Sequence, residues 1–173
     1  MDLLAFERGD GAARAAVVDG VRRSLASGFV YTSSDLPPDL LDTAYGMLQR
    51  FFALDQASKA RFQAPHSHGQ SGYTGVLVET AAGSPQADWK EMLNWASPIP
   101  AGHPLRRRFP GSYPEQLLPD AVVPGISEVL YAFHDAIADL QRRFLRVIAL
   151  GIGCAETFFD DMVQDGPTLT RAI

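Results

Sequence analysis

The feature that most constrains this chain is an apolar stripe near its C-terminal end. Ile126, Leu130, Phe133, Ile137, Leu140, Phe144 and Ile148 step by three or four residues, the period of one helix face. Pro124 suits a first turn, Gly151 and Gly153 stand just past the end, and Arg142, Arg143 and Arg146 fall where cations complement the helix dipole. A helix over about 124–150 would be roughly 40 Å long at 1.5 Å per residue. A helix of that length serves as the spine against which other layers pack, with Phe133 and Phe144 as core residues on its buried face.

The rest of the chain supplies short elements for that spine. Ala13, Val17, Val21 and Leu25 mark a helix over about 10–26, ended by Gly28. Phe29-Val30-Tyr31-Thr32 is β-branched and aromatic and predicts a short strand. After Pro37-Pro38, a helix over about 39–53 is expected to bury Leu41, Tyr45, Leu48 and Phe52. Asp55 can cap a third, short helix ending near Arg61. Strands are expected over Tyr73–Glu79 and Trp89–Trp95. Six prolines between Pro98 and Pro119 hold the following stretch extended or turning, with Arg106 to Arg108 in a solvated turn. A short helix near 156–162 follows, and the chain closes on an incipient strand, Thr168–Ile173, whose partner strand is expected to be missing.

Composition narrows the function classes. The 173 residues are 46% hydrophobic and carry a formal net charge of −5. That composition suits one domain and excludes a disordered tail. An acidic balance argues against nucleic acid or an anionic membrane as partner. The N-terminus has no secretory pattern and the longest apolar stretch is far short of a membrane span, so a cytoplasmic location is expected. A single cysteine, Cys154, leaves no internal disulfide, and a small buried residue is the expected role.

No complete catalytic constellation emerges from the residues. His66 and His68 are the one close histidine pair, yet a metal site needs a third ligand, and nothing nearby in sequence identifies one. His103 and His134 read as structural. No histidine is followed two positions later by a carboxylate, and no nucleophile elbow or phosphate-binding loop is present. Asp88 and Glu91 around Trp89-Lys90 look like a surface charge pattern.

The order of four motifs is more informative. Ser27-Gly28-Phe29-Val30-Tyr31 comes first, then Phe51-Phe52-Ala53-Leu54-Asp55 with Lys59 four further on. Gly72-Tyr73-Thr74-Gly75 with Asp88-Trp89-Lys90-Glu91 follows, and then Phe109-Pro110, Leu118-Pro119, the long helix and Phe158-Phe159. In this order the chain resembles the N-terminal half of the isopenicillin N synthase-like branch of the iron(II)/2-oxoglutarate-dependent oxygenases, from about Leu4 to Ile173. The resemblance implies an α+β fold over residues 1–173: a helical N-terminal layer plus the first strands of a double-stranded β-helix (jelly roll), the long helix packed outside the sheet and the barrel incomplete in this chain. It implies Fe(II) and 2-oxoglutarate in the intact protein, with the ligands expected beyond Ile173, so that this chain alone should be inactive. Molecular oxygen and a small-molecule substrate, an organic acid, amino acid or peptide-like metabolite, are the implied partners of an intact monomer. The positions that match the family's substrate end are Gln70, Tyr73, Asn94 and Arg171, and a guanidinium such as that of Arg171 suits a substrate carboxylate. Two alternatives stay open: a truncated, non-catalytic helical interaction module, and a family oxidase that does not use 2-oxoglutarate.

Overall fold

The computed structural model describes residues 2–67 and 69–173, so His68, and with it the His66–His68 pair, lies outside the described residues. In chain order the elements are α1 (Leu3–Arg8), α2 (Gly11–Leu25), α3 (Pro38–Phe52), α4 (Gln56–Ala60), β1 (Gly72–Thr74), β2 (Met92–Trp95), α5 (Pro104–Arg108), α6 (Ile126–Gly151), α7 (Asp160–Val163) and β3 (Thr170–Ala172). The α+β expectation holds: helices accompany a three-stranded antiparallel sheet of order β1-β2-β3. No helix among the described residues is long and apolar enough to cross a membrane.

The chain divides into two units, and α6 contributes residues to both. The first comprises residues 1–37 and 136–166. Its core joins Leu3 and Phe6 of α1, Val21 of α2 and Val147 of α6, with Leu140, Phe144 and Ile148 packed alongside. Asp2 and Asp10 cap α1 and α2 with their side chains, taking amide protons that the first helical turn leaves unpaired. Arg143 gathers Glu7 and Asp35 through four charge-assisted hydrogen bonds of 2.7–3.2 Å. Those two carboxylates hold the guanidinium charged, pushing its pKa above the ordinary arginine value.

The second unit comprises residues 38–135 and 167–173. Ala44, Leu48 and Phe51 of α3 meet Phe62, Tyr73, Leu93 and Trp95, and Ile126 and Leu130 of α6 close the core. Phe51 makes edge-to-face contacts with Phe62 and Tyr73 at centroid distances of 6.1 and 5.7 Å, a geometry that aromatic quadrupoles favour. The indole Nε1 of Trp95 donates to the Leu130 carbonyl at 2.8 Å and so fixes the sheet against α6.

Several local expectations change. Residues 29–32 form no strand; Phe29 and Tyr31 are 74% and 88% exposed, and only an isolated Asp2–Ser33 bridge forms beside them. Strand propensity needs a neighbouring ladder to be realised, and this segment has none. The buried face of α3 is Ala44-Leu48-Phe51, one step round from the expected one, leaving Leu41 and Tyr45 exposed and Phe52 half-buried. On α6 the buried positions are Ile126, Leu130, His134, Val147, Ala149 and Gly151, while Phe133 and Phe144 sit half-buried at the margins of the stripe. The first strand stops at Thr74, since the chain turns at Val76 and Leu77, where Leu77 adopts φ 62°. The second strand starts only at Met92, with Trp89 83% exposed. The three arginines end a short helix, α5, started by Pro104 and capped by the His103 ring, instead of lying in a turn. The helix expected at 156–162 is confined to Asp160–Val163, and Cys154 is half-buried. The partner of the last strand is present: β3 pairs with β2.

Candidate functional site

The sheet positions the residues of interest through its register. Gly72, Asn94 and Arg171 form one row across β1, β2 and β3, and Tyr73, Leu93 and Ala172 form the next. Side chains alternate between faces along a strand. The structure therefore brings Asn94 and Arg171 together on one face and puts Tyr73 on the other, within the aromatic core. Gly72 is required where it stands: its φ is +80°, and a Cβ there would lie 2.5 Å from the Phe62 carbonyl oxygen. That close approach lets the Tyr73 amide donate to Phe62 O at 2.8 Å and sets β1 in place.

Asn94 is fully buried at the centre of the sheet. Its Oδ1 accepts from Arg171 Nε at 2.8 Å, whereas its Nδ2 meets no acceptor. An unsatisfied buried donor typically costs about 1–3 kcal/mol, so this amide is the most conspicuous polar irregularity in the second unit. Arg171 is exposed and pairs with no carboxylate among the described residues. Gln70 is half-buried in the turn that leads into β1. That turn is held by Ser67 Oγ, which donates toward the carbonyls of Ala64 and Ser71 at 2.8 and 3.0 Å, and by Ser71 Oγ, which accepts from the Leu117 amide at 2.9 Å.

On the opposite face, Tyr73 belongs to a polar network that sequence reasoning missed. Lys59, only 4% exposed, sends its ammonium to Glu91 at 2.7 Å and to the Phe52 carbonyl at 3.1 Å. The Tyr73 hydroxyl lies 2.5 Å from Glu91 Oε2 and 2.9 Å from Gln56 Oε1. Burial and the adjacent carboxylate push the phenol well above its ordinary pKa, so it stays protonated and donates. Glu91 is thus a partner of a buried cation, not a member of a surface pattern; the surface pairing is made by Lys90 with Asp88 and Glu79. Nothing in the local spacing signals this, because Lys59 and Glu91 are 32 residues apart.

The strand that carries Arg171 has its own anchor. His134 of α6 is 2% exposed, with Nδ1 2.7 Å from Thr170 Oγ1 and Nε2 3.0 Å from Thr168 Oγ1. Burial lowers its pKa, and Asp135 partly opposes that shift. A neutral ring can donate to one hydroxyl and accept from the other. The structural role expected of His134 is therefore specific: it pins the segment 168–170. Among the described residues, no group of three or more His, Cys, Asp or Glu side chains stands close enough to hold a metal ion. These residues do not fit an iron site.

The helices, the antiparallel sheet and the long α6 behind it define the N-terminal part of a 2OG-Fe(II) oxygenase fold. The chain belongs to the family described as non-haem dioxygenase in morphine synthesis, N-terminal, which matches residues 1–119. It is 27% identical over 180 residues to the 2-oxoglutarate-Fe(II) type oxidoreductase hxnY of Emericella nidulans, a match that covers 100% of this chain and 51% of that protein. A 2OG-Fe(II) oxygenase family protein from Caulobacter crescentus superposes with a TM-score of 0.70 at 27% identity, covering 81% of this chain and 44% of that one. A full-length Neurospora crassa protein, solved in complex with alpha-KG and 5-formyluracil, shares the fold with a TM-score of 0.76 at 21% identity, covering 99% of this chain and 50% of that one. The chain spans about half the length of the relatives it matches.

Proposed function

We propose that this chain is the N-terminal part of a non-haem iron(II), 2-oxoglutarate-dependent oxygenase that hydroxylates, desaturates or cyclises a small organic acid, amino acid or peptide-like metabolite. The observation that carries the reading is the family match over residues 1–119, extended by the likeness to hxnY along the whole chain. Iron and 2-oxoglutarate would supply the oxidising chemistry with molecular oxygen; the described residues do not hold them. The residues of this chain bind and orient. Asn94 and Arg171 present polar groups from adjacent strands, and Gln70 stands at the entrance to β1. Tyr73 acts from behind the sheet, where its bond to Gln56 ties β1 to α4 and its bond to Glu91 ties β1 to the start of β2. The Lys59–Glu91 pair then ties the start of β2 to α4, and the His134 anchor ties β3 to α6, which keeps the Asn94–Arg171 row in register.

The test is 2-oxoglutarate turnover by the protein expressed from its whole coding sequence, supplied with Fe(II) and oxygen. Succinate should form from 2-oxoglutarate, and its rate should rise when a screened small acid is a substrate. Oxygen uptake that depends on iron but produces no succinate would move the protein to the oxidases that do without 2-oxoglutarate. Iron-loaded protein that consumes neither would refute an oxygenase and favour a non-catalytic module.

A further inference from the structure

The last strand of the sheet is held from two sides, and one of the holds is an ionisable group. β3 is terminal in the order β1-β2-β3 and pairs over three residues with β2. Besides that ladder it contributes the half-buried Ala172 to the margin of the core, which is weak support for an edge strand. From the helix side, both ring nitrogens of His134 are spent on the same segment, Nδ1 on Thr170 Oγ1 at 2.7 Å and Nε2 on Thr168 Oγ1 at 3.0 Å. His134 is 2% exposed. Asp135, the next residue on α6, is the charged group that acts on the ring, and its Oδ1 already accepts from Ser97 Oγ at 2.5 Å. Tyr131, one turn earlier, is a phenol kept neutral by burial. β2 has no ionisable side chain between Met92 and Trp95, and Arg171 of β3 turns to Asn94 on the other face. A neutral imidazole fits these surroundings, since it donates to one hydroxyl and accepts from the other. An imidazolium does not: both nitrogens then donate, one hydroxyl must turn its proton away, and the charge is held out of water without a paired anion. Thr168 and Thr170 are half-buried, so water can take over their bonds once the segment moves.

We propose that His134 is an acid-operated latch: neutral, it holds residues 168–172 against α6, and protonated, it releases β3 while the core built on residues 38–135 stays folded. The released segment carries Arg171, so acid withdraws that guanidinium from Asn94 and uncovers the outer edge of β2. That the latch gates an oxygenase rests on the proposed function; the release itself rests only on the packing around the ring.

The test is amide hydrogen exchange of the 173-residue chain across the acid side of neutrality, corrected for intrinsic exchange rates. In the released state the ring titrates near the ordinary 6.5, and in the latched state lower, so release takes up a proton. The opening constant of the β2–β3 ladder amides should therefore rise as pH falls below 6.5. The rise should reach up to about tenfold per pH unit, until the latched ring itself titrates. Release is local, so urea below the unfolding transition should leave ladder exchange unchanged while it speeds the exchange of Leu48 and Phe51 in the α3 core. His134→Gln, whose amide also donates and accepts but does not titrate, should keep the ladder protected and make its exchange independent of pH. Three outcomes would each overturn the proposal: a ladder opening constant that is flat with pH, ladder exchange that follows urea in step with Leu48 and Phe51, or a pH dependence that persists in His134→Gln. If that variant does not fold, the first two outcomes in the unaltered chain still decide the point.

Discussion

Replacing Glu91 by Gln isolates what the buried ion pair contributes. The side chain of Lys59 is 5% exposed and that of Glu91 24%. In Glu91→Gln the shape persists but the anion is lost, leaving the Lys59 ammonium with the Phe52 carbonyl and a neutral amide. Breaking a fully buried pair costs about 3–5 kcal/mol. Glu91 still reaches solvent, so roughly 2–3 kcal/mol is expected, scaled down toward the exposed-pair limit. For a chain of this size that lowers Tm by roughly 5–10 °C. Lys59→Met/Glu91→Leu removes both charges and leaves Gln56 for the Tyr73 hydroxyl, so the double variant should be more stable than Glu91→Gln alone. Urea unfolding followed by Trp fluorescence is the assay. Trp95 lies in the same core and is 1% exposed, whereas Trp89 is 83% exposed and contributes little change. A loss below about 0.5 kcal/mol for Glu91→Gln, the range of a solvated pair, would refute the reasoning. A double variant less stable than the single one would also refute it.

Two further outcomes follow from burial. His134 has its pKa lowered from 6.5 by desolvation, so below that pH the unfolded chain binds a proton that the folded chain resists. Stability should then fall as pH drops from 6.5 toward the folded-state pKa, with a slope of at most one proton, about 1.4 kcal/mol per pH unit; His134→Gln should flatten that limb in pH-resolved urea melts, and an unchanged slope would assign it elsewhere. Leu130→Ala, at a fully buried position, should cost about 2–5 kcal/mol, while Leu41→Ala on the exposed side of α3 should stay within about 0.5 kcal/mol by the same melts. Similar costs for the two would mean that α3 presents its other face to the core.

What the sequence determined by itself was the helices α2, α3, α4 and α6, though neither α1 nor α5, and the family they resemble. The α6 stripe, the Asp55 cap and the Pro38 start are local signals, because helical hydrogen bonds close within four residues and the code for them lies within one turn. The ordered motifs likewise needed no contact information, and the family match over residues 1–119 bears out the family they point to. Strand placement did not follow from composition alone: Phe29–Thr32 and Thr168–Ile173 are similarly rich in β-formers, and only the second found a partner, in β2. Ladder formation is a property of two segments, so one segment's propensity could not decide it. The rotation of α3 that buries Phe51 depended on where Phe62 and Tyr73 came to rest. The site shows the same division. Asn94 and Arg171 could be named singly from the resemblance, but their pairing across 77 residues, and the separation of Tyr73 onto the other face, came from antiparallel register. The Lys59–Glu91 bond and the His134 anchor are likewise decided only in three dimensions, since the low dielectric that makes such pairings strong exists only once the core has closed around them.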